Sequence, residues 1–254
     1  MTGFVVAIVL ILLILLFRKI SPLSSAVAKT HKPLVVLRAE YRHIDLTHLG
    51  FLFLTAPVLT FIYYKLFVVA YNFRLSLYDD IQIIVGFQSA FMVIAIFAAI
   101  VTSTILSMYY LKRKLKYDWE EYVAYNNLKY GFNYYKIGHI IMNGIAAITI
   151  ISLIAIFDWF VIFRNKEIVV NTLFGFGTKT YNYTDVSEIR DVQKSKAPNG
   201  NIVEDEHYVI VFSDGEKWNS RQSGFPDFNE NLRIIELIKS KTGKELVALE
   251  YDKE

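Results

Sequence analysis

From Ile83 to Leu111 the chain runs 29 residues without one Asp, Glu, Lys or Arg. About 20 helical residues already cross a hydrocarbon core of about 30 Å, so this stretch alone makes a membrane protein the first reading. Three shorter apolar runs accompany it: Gly3 to Phe17, about Leu49 to Tyr71, and about Ile137 to Phe157. Composition agrees, with 54% hydrophobic and 15% aromatic residues among 254. Four spans are therefore expected, at about 3–17, 49–71, 83–111 and 137–157, together forming a membrane region over 1–157.

The first run is short, but Arg18 and Lys19 follow it directly and can snorkel to extend its reach. A cleaved signal peptide carries its basic residues ahead of the apolar core. Here they come after it, which predicts an anchor with its amino terminus outside. Pro57 is expected to kink the second span, a distortion membrane helices tolerate when neighbours satisfy the freed carbonyl. Lys65 lies beside Tyr63 and Tyr64 near the far end of that span, where a snorkelling amine in an aromatic belt outweighs a functional charge. In the third span Ala95, Ala99, Ser103 and Ser107 recur every four residues, a small-residue stripe that lets helix backbones approach closely. Packing against another span of the same chain is its plain reading, and self-association into a homo-oligomer is the alternative. His139, Asn143, Thr149 and Ser152 offer hydrogen bonds from the fourth.

Charge is distributed unevenly. Residues 1–163 hold 14 Lys and Arg against 8 Asp and Glu, and residues 164–254 hold 13 against 16. The connections at 18–48 and 112–136 carry six basic residues each, whereas 72–82 carries only Arg74, beside Asp79 and Asp80. The positive-inside bias places both basic loops in the cytoplasm of a cell membrane, and counting spans then puts the C-terminal part outside. A re-entrant segment at 137–157 would reverse that last step. The second basic loop is dense in Tyr and Trp between Tyr117 and Lys136, a composition suited to headgroup depth rather than to nucleic acid. In His43-Ile-Asp45-Leu-Thr-His48 three side chains could be drawn around a metal, but their spacing diverges on a helix, and no metal is expected. With no cysteine, thiol chemistry and disulfides are excluded.

From Asp158 the pattern turns to short β-branched and aromatic runs with turn punctuation. Trp159–Phe163 and Glu167–Asn171 flank the polar Arg164-Asn165-Lys166 and predict a hairpin. Lys179–Tyr183 and Asp185–Val192 predict two further strands. His207–Phe212 returns through Asp214-Gly215, a type I′ signal, to Trp218. Asp227 with Glu230 forms a capping box ahead of an amphipathic helix at about 228–242, which ends near Gly243. The expectation is one bent sheet of about six or seven strands closed by that helix, an autonomous domain over 158–254. The stretch WFVIFRNKEIVVNTLFGFGTKTYNYTDVSEI, with its polar turn, I-V-V-N strand, L-F-G corner and D-V-x-E-I segment, resembles the bacterial pleckstrin-homology-like membrane proteins. That resemblance implies a β-rich PH-like domain with one capping helix after membrane spans, and no shared catalytic set. The polar insert Lys194–His207 departs from it.

No G-x-S-x-G, H-E-x-x-H, Walker A or dinucleotide glycine pattern is present, and neither enzyme activity nor a cofactor is expected. Two function classes remain: a membrane-anchored binding or assembly module that takes a protein or peptide partner, and a small transporter or channel with a regulatory β cap. Membrane segments poor in charge favour the first. For a binding site the residues singled out are Trp218, Arg221, Phe225 and Phe228, the last three around a loop shaped by Gly224 and Pro226. Packing of Phe225 and Phe228 at the helix start is the competing reading.

Overall fold

A computed structural model describes residues 19, 30–86, 88–171, 177–197, 199–221 and 228–251. The expected first span at 3–17 and the candidate Phe225 lie outside the described residues, as does the side chain of Phe228. The elements in chain order are α1 (Leu34–Leu75), β1 (Ile81–Gly86), α2 (Ala90–Leu115), α3 (Trp119–Tyr130) and α4 (Tyr134–Phe157). They continue with β2 (Phe160–Arg164), β3 (Glu167–Asn171), β4 (Lys179–Asn182), β5 (Val186–Lys196), β6 (Ile202–Phe212), β7 (Lys217–Asn219), α5 (Phe228–Thr242) and β8 (Leu246–Tyr251). Among the described residues three helical stretches are long and apolar enough to cross a membrane: Leu34–Leu75, Ala90–Tyr130, which joins α2 to α3, and Tyr134–Phe157. The chain divides into two compact units, one of residues 1–64 and 94–150, the other of 65–93 and 151–254.

In the helical unit α1 is far longer than its apolar run. Its 42 residues span roughly 63 Å at about 1.5 Å each, about twice a hydrocarbon core. Pro57 sits inside it without ending it. The first turns, Leu34 to His48, carry Leu37, Tyr41 and Ile44 on one face, and these are buried with Leu111 of α2 and Tyr122 and Tyr125 of α3 in a small core of their own. Along α1 and α2, Phe51 stacks on Tyr110 at 5.7 Å, His48 Nδ1 lies 2.6 Å from Ser107 Oγ, and the Tyr63 and Thr102 hydroxyls are 2.9 Å apart. Ala95, Ala99, Ser103 and Ser107 are all fully buried. The last turn of α2 holds Lys112, Arg113 and Lys114, where positive charge suits the helix dipole. Glu120 and Glu121 open α3, and Gly131, at φ 76°, closes it with its N–H on the Asn127 carbonyl.

In the β unit two four-stranded sheets replace the single bent sheet expected. One has the order β1-β2-β3-β4, all antiparallel; the other runs β7-β6-β5-β8, with β8 parallel to β5. Between them lies a core of Val161, Phe163, Ile168, Ile189, Ile210 and Phe212, into which α5 sends Ile234, Ile235 and Ile238. Tyr181 stacks on Phe212 at 3.8 Å, and Phe163 meets Trp218 edge-on at 5.5 Å. Helix α5 ends as expected, at Gly243, whose φ of 68° lets its N–H reach the Lys239 carbonyl.

Four expectations need correction here. Residues 83–86 do not begin the third span; they belong to β1, whose Ile84 pairs with Ile162, and the helix starts only at Ala90. Four residues of the uncharged run, 83–86, are thus drawn off, because Ile and Val at alternate and adjacent positions serve a half-buried edge strand as well as a bilayer. The β unit is accordingly not confined to 158–254. The insert Lys194–His207 is mostly ladder rather than loop: β5 and β6 continue to Lys196 and Ile202 around a turn at Gly200. The Asp214-Gly215 turn is not type I′, since only Gly215 has a positive φ; the Gly215 N–H donates to the Phe212 carbonyl, the pattern of a type I turn closed by a left-handed glycine.

Candidate functional site

Helix α3 places Tyr122, Tyr125 and Lys129 on one face, because spacings of three and seven residues return to the same side of a helix. All three converge on Asp45 of α1. Tyr122 donates to Asp45 Oδ1 at 3.1 Å, and Tyr125 and the Lys129 amine donate to Oδ2 at 2.9 and 2.6 Å. One turn earlier the same pairing of helices is repeated around Glu121, which accepts from Thr30 at 3.1 Å, Tyr41 at 3.0 Å and Lys32 at 2.9 Å. Lys32 also reaches Glu40. The Tyr41 ring packs against those of both Tyr122 and Tyr125, at 5.3 and 5.6 Å.

These groups lie beyond the uncharged runs, and their electrostatics are those of a half-buried polar cluster. Burial pulls the Lys129 amine down, yet the hydrogen bond and charge of Asp45 prevail and hold it above the ordinary lysine value. Burial pushes the Tyr122 phenol up, and Asp45 adds to the rise. The hydrogen bond from Lys32 holds the Glu121 carboxyl below the usual glutamate value. The cluster thus sets Tyr122, Tyr125 and Lys129 as donors to Asp45, and Thr30, Lys32 and Tyr41 as donors to Glu121. It is built to lock helices rather than to exchange protons. Asp45 and His48, drawn as metal ligands from the sequence, turn to different partners. Among the described residues no group of three or more His, Asp or Glu side chains is placed to hold a metal ion.

Beside this lock lies an open groove of about 370 Å³. It is lined by Met108, Tyr109 and Lys112 of α2, Trp119 and Val123 of α3, and Tyr135 and His139 of α4. Trp119 stands edge-on to Tyr135 at 5.3 Å, and the Arg113 guanidinium lies 4.7 Å above the Tyr109 ring. The Tyr134 N–H donates to Asn127 Oδ1 at 2.8 Å, which fixes the turn that brings α4 to the groove.

Of the residues singled out for binding in the β unit, Trp218 and Arg221 are described, and their side chains turn to different partners. Trp218 pairs with Ile210 and is only 3% exposed, so its indole is a core group. Arg221 is exposed, but its guanidinium holds the Asp205 carboxylate and, at 3.1 Å, the Ser195 hydroxyl of the β5–β6 hairpin. What the sequence reading missed is the destination of Asp45. The signal was present in the spacing of Tyr122, Tyr125 and Lys129, a face of donors that required an acceptor from elsewhere in the chain. No family model matches the chain, and neither a curated protein nor a solved structure does.

Proposed function

We propose that the chain is a membrane-anchored binding or assembly protein of the PH-like kind, with its β unit as the recognising part and that unit held outside the cytoplasm. The pairing of β1 with β2 carries this reading. Strands 81–86 and 160–164 can form a ladder only on the same side of a bilayer, so an even number of crossings must separate them, and α2 and α4 supply two. The basic segment 112–136 then falls on the opposite, cytoplasmic side.

The same ladder fixes the β unit to the ends of its helices. Arg74 donates to the Phe157 carbonyl and, at 2.6 Å, to Asp158, while Arg164 and Asn165 bind the carbonyls of Asp79 and Asp80. Two antiparallel meanders, β2-β3-β4 and β5-β6-β7, followed by a helix whose apolar face enters the shared core, support the PH-like assignment. The strand β8 is an addition to it. Among the described strands β8 pairs on one side alone, and its Val247 and Tyr251 are exposed. A free edge bearing apolar side chains suits addition of a partner's strand.

The test is site-specific photo-crosslinking in intact membranes, with a benzophenone amino acid at Val247 or at Arg221 of the full chain. A discrete adduct with a second copy or with another envelope protein is expected from Val247. Failure of both positions to give any adduct would remove the support for recognition by this unit.

A further inference from the structure

The groove on the helical unit is a site of a different kind from the β edge. Its floor is apolar and aromatic, with Met108, Val123, Trp119 and Tyr135. It opens where the uncharged run of α2 ends at Leu111 and the basic sequence Lys112-Arg113-Lys114 begins. Such a boundary lies at headgroup depth, where Trp and Tyr rings are most at home. Lys112 lines the groove, is exposed, and makes no ion pair or hydrogen bond among the described residues; none of the lining residues is acidic. His139 adds a second nitrogen donor. At about 370 Å³ the space falls at the small end of the roughly 300–1,000 Å³ of ligand sites, enough for a headgroup and the start of a chain but not for a whole lipid.

We propose that this groove holds one anionic phospholipid, its glycerol end and first methylenes against Met108, Val123 and Trp119, and its phosphate on Lys112. Three helices shape the apolar floor. The unpaired amine supplies the charge complementarity that distinguishes an anionic lipid from a zwitterionic one. Because the tyrosine–carboxylate lock positions α3 beside the groove, the bound lipid would belong to the leaflet on the side of segment 112–136.

Native mass spectrometry of the delipidated full-length protein tests this with three probes: dioctanoyl phosphatidylglycerol, dioctanoyl phosphatidylcholine and inorganic phosphate. The wild type should retain the glycerol lipid about fivefold better, the weight of one lysine facing an anionic headgroup. Lys112→Gln should bring the two lipids level, and Met108→Trp, which fills the floor, should lower both. Lys112 is exposed, so the glutamine variant decides the matter even if the tryptophan variant does not fold. Equal retention of both lipids by the wild type, or a preference that survives Lys112→Gln, would overturn the proposal. Displacement of the glycerol lipid by millimolar inorganic phosphate would overturn it too, by showing an anion site with no lipid in it.

Discussion

The two compact units are held by different means. In the β unit the frame is backbone: seven of the eight described strands lie between Phe160 and Tyr251, most joined to a neighbour in sequence, and side chains fill a core that the ladders have already positioned. In the helical unit the tyrosine–carboxylate lock is made by side chains that meet across 77 to 91 residues of sequence, Asp45 with Tyr122 and Thr30 with Glu121. Within a bilayer the burial of apolar surface alone does not set rotation and register of helices, since lipid tails are as apolar as leucine, which leaves close packing of small residues and hydrogen bonds to do so. Directed hydrogen bonds at the ends of the spans do specify them. The difference predicts that the β unit is most sensitive to lost volume and the helical unit to lost acceptors.

The largest effect should therefore come from the β core. Phe163 is fully buried and stands against Trp218, so Phe163→Ala should cost about 3–5 kcal/mol. Thermal unfolding followed by tryptophan emission in a Trp119→Phe background, which leaves Trp159 and Trp218 as reporters, measures it. A loss below about 1 kcal/mol would mean that the two sheets do not share the tight core described.

Next comes Asp45. Asp45→Ala removes the acceptor of two tyrosines and leaves Lys129 without its partner, for an expected loss of about 2–3 kcal/mol in the helical unit. Asp45→Asn keeps the shape and one acceptor oxygen and should cost less. If alanine and asparagine were both silent in detergent-solubilised melts, the side-chain frame would be ornament and the comparison of the two units would fail.

A smaller change probes where backbone and helix meet within the β unit. A Cβ on Gly86 would lie 2.0 Å from the Tyr71 hydroxyl, and Tyr71 is fully buried among Phe91 and Phe157. Gly86→Ala should cost about 1–2 kcal/mol through overpacking. Because the clash is with the phenol oxygen, Tyr71→Phe in the same chain should recover part of the loss. No recovery in the double variant would place the strain elsewhere.

What could be read from the sequence follows the same division. The β2–β3 hairpin, β4, β5, the strand pair through Trp218 and the helix at 228–242 are local patterns with turn residues at their ends, and each was readable from periodicity. The strand β1 was not, because Ile-Gln-Ile-Ile-Val-Gly sits directly ahead of a true span and its hydropathy merges with it. Nor was β8, because it follows the helix whose capped, amphipathic pattern reads as the end of the module. Trp218 misled as a binding residue, since an aromatic that ends a hairpin serves a core as readily as a surface. For the helical unit the apolar runs located α1, α2 and α4. The Asp45 cluster stayed hidden because single carboxylates and tyrosines have no periodic signature; only the three-and-seven spacing on α3 hinted at it.

The smallest expected effect concerns the second carboxylate of the helical unit. Glu121 is held below the ordinary glutamate value chiefly by Lys32, with Tyr41 and Thr30 as further donors. A carboxyl whose folded value is depressed binds fewer protons folded than unfolded. Its contribution to stability is therefore whole above the unfolded glutamate value of about 4.3 and is lost as pH falls through the folded value below that. Glu121→Gln should accordingly lower the melting temperature at neutral pH, and the gap between variant and wild type should close under acid. The gap should be smaller than for Asp45, because Lys32 is exposed and an exposed ion pair is largely screened by water and salt. Raising ionic strength at neutral pH should narrow it as well. A gap that widens on acidification would show that Glu121 is protonated in the folded protein, and the side-chain frame would then rest on Asp45 alone.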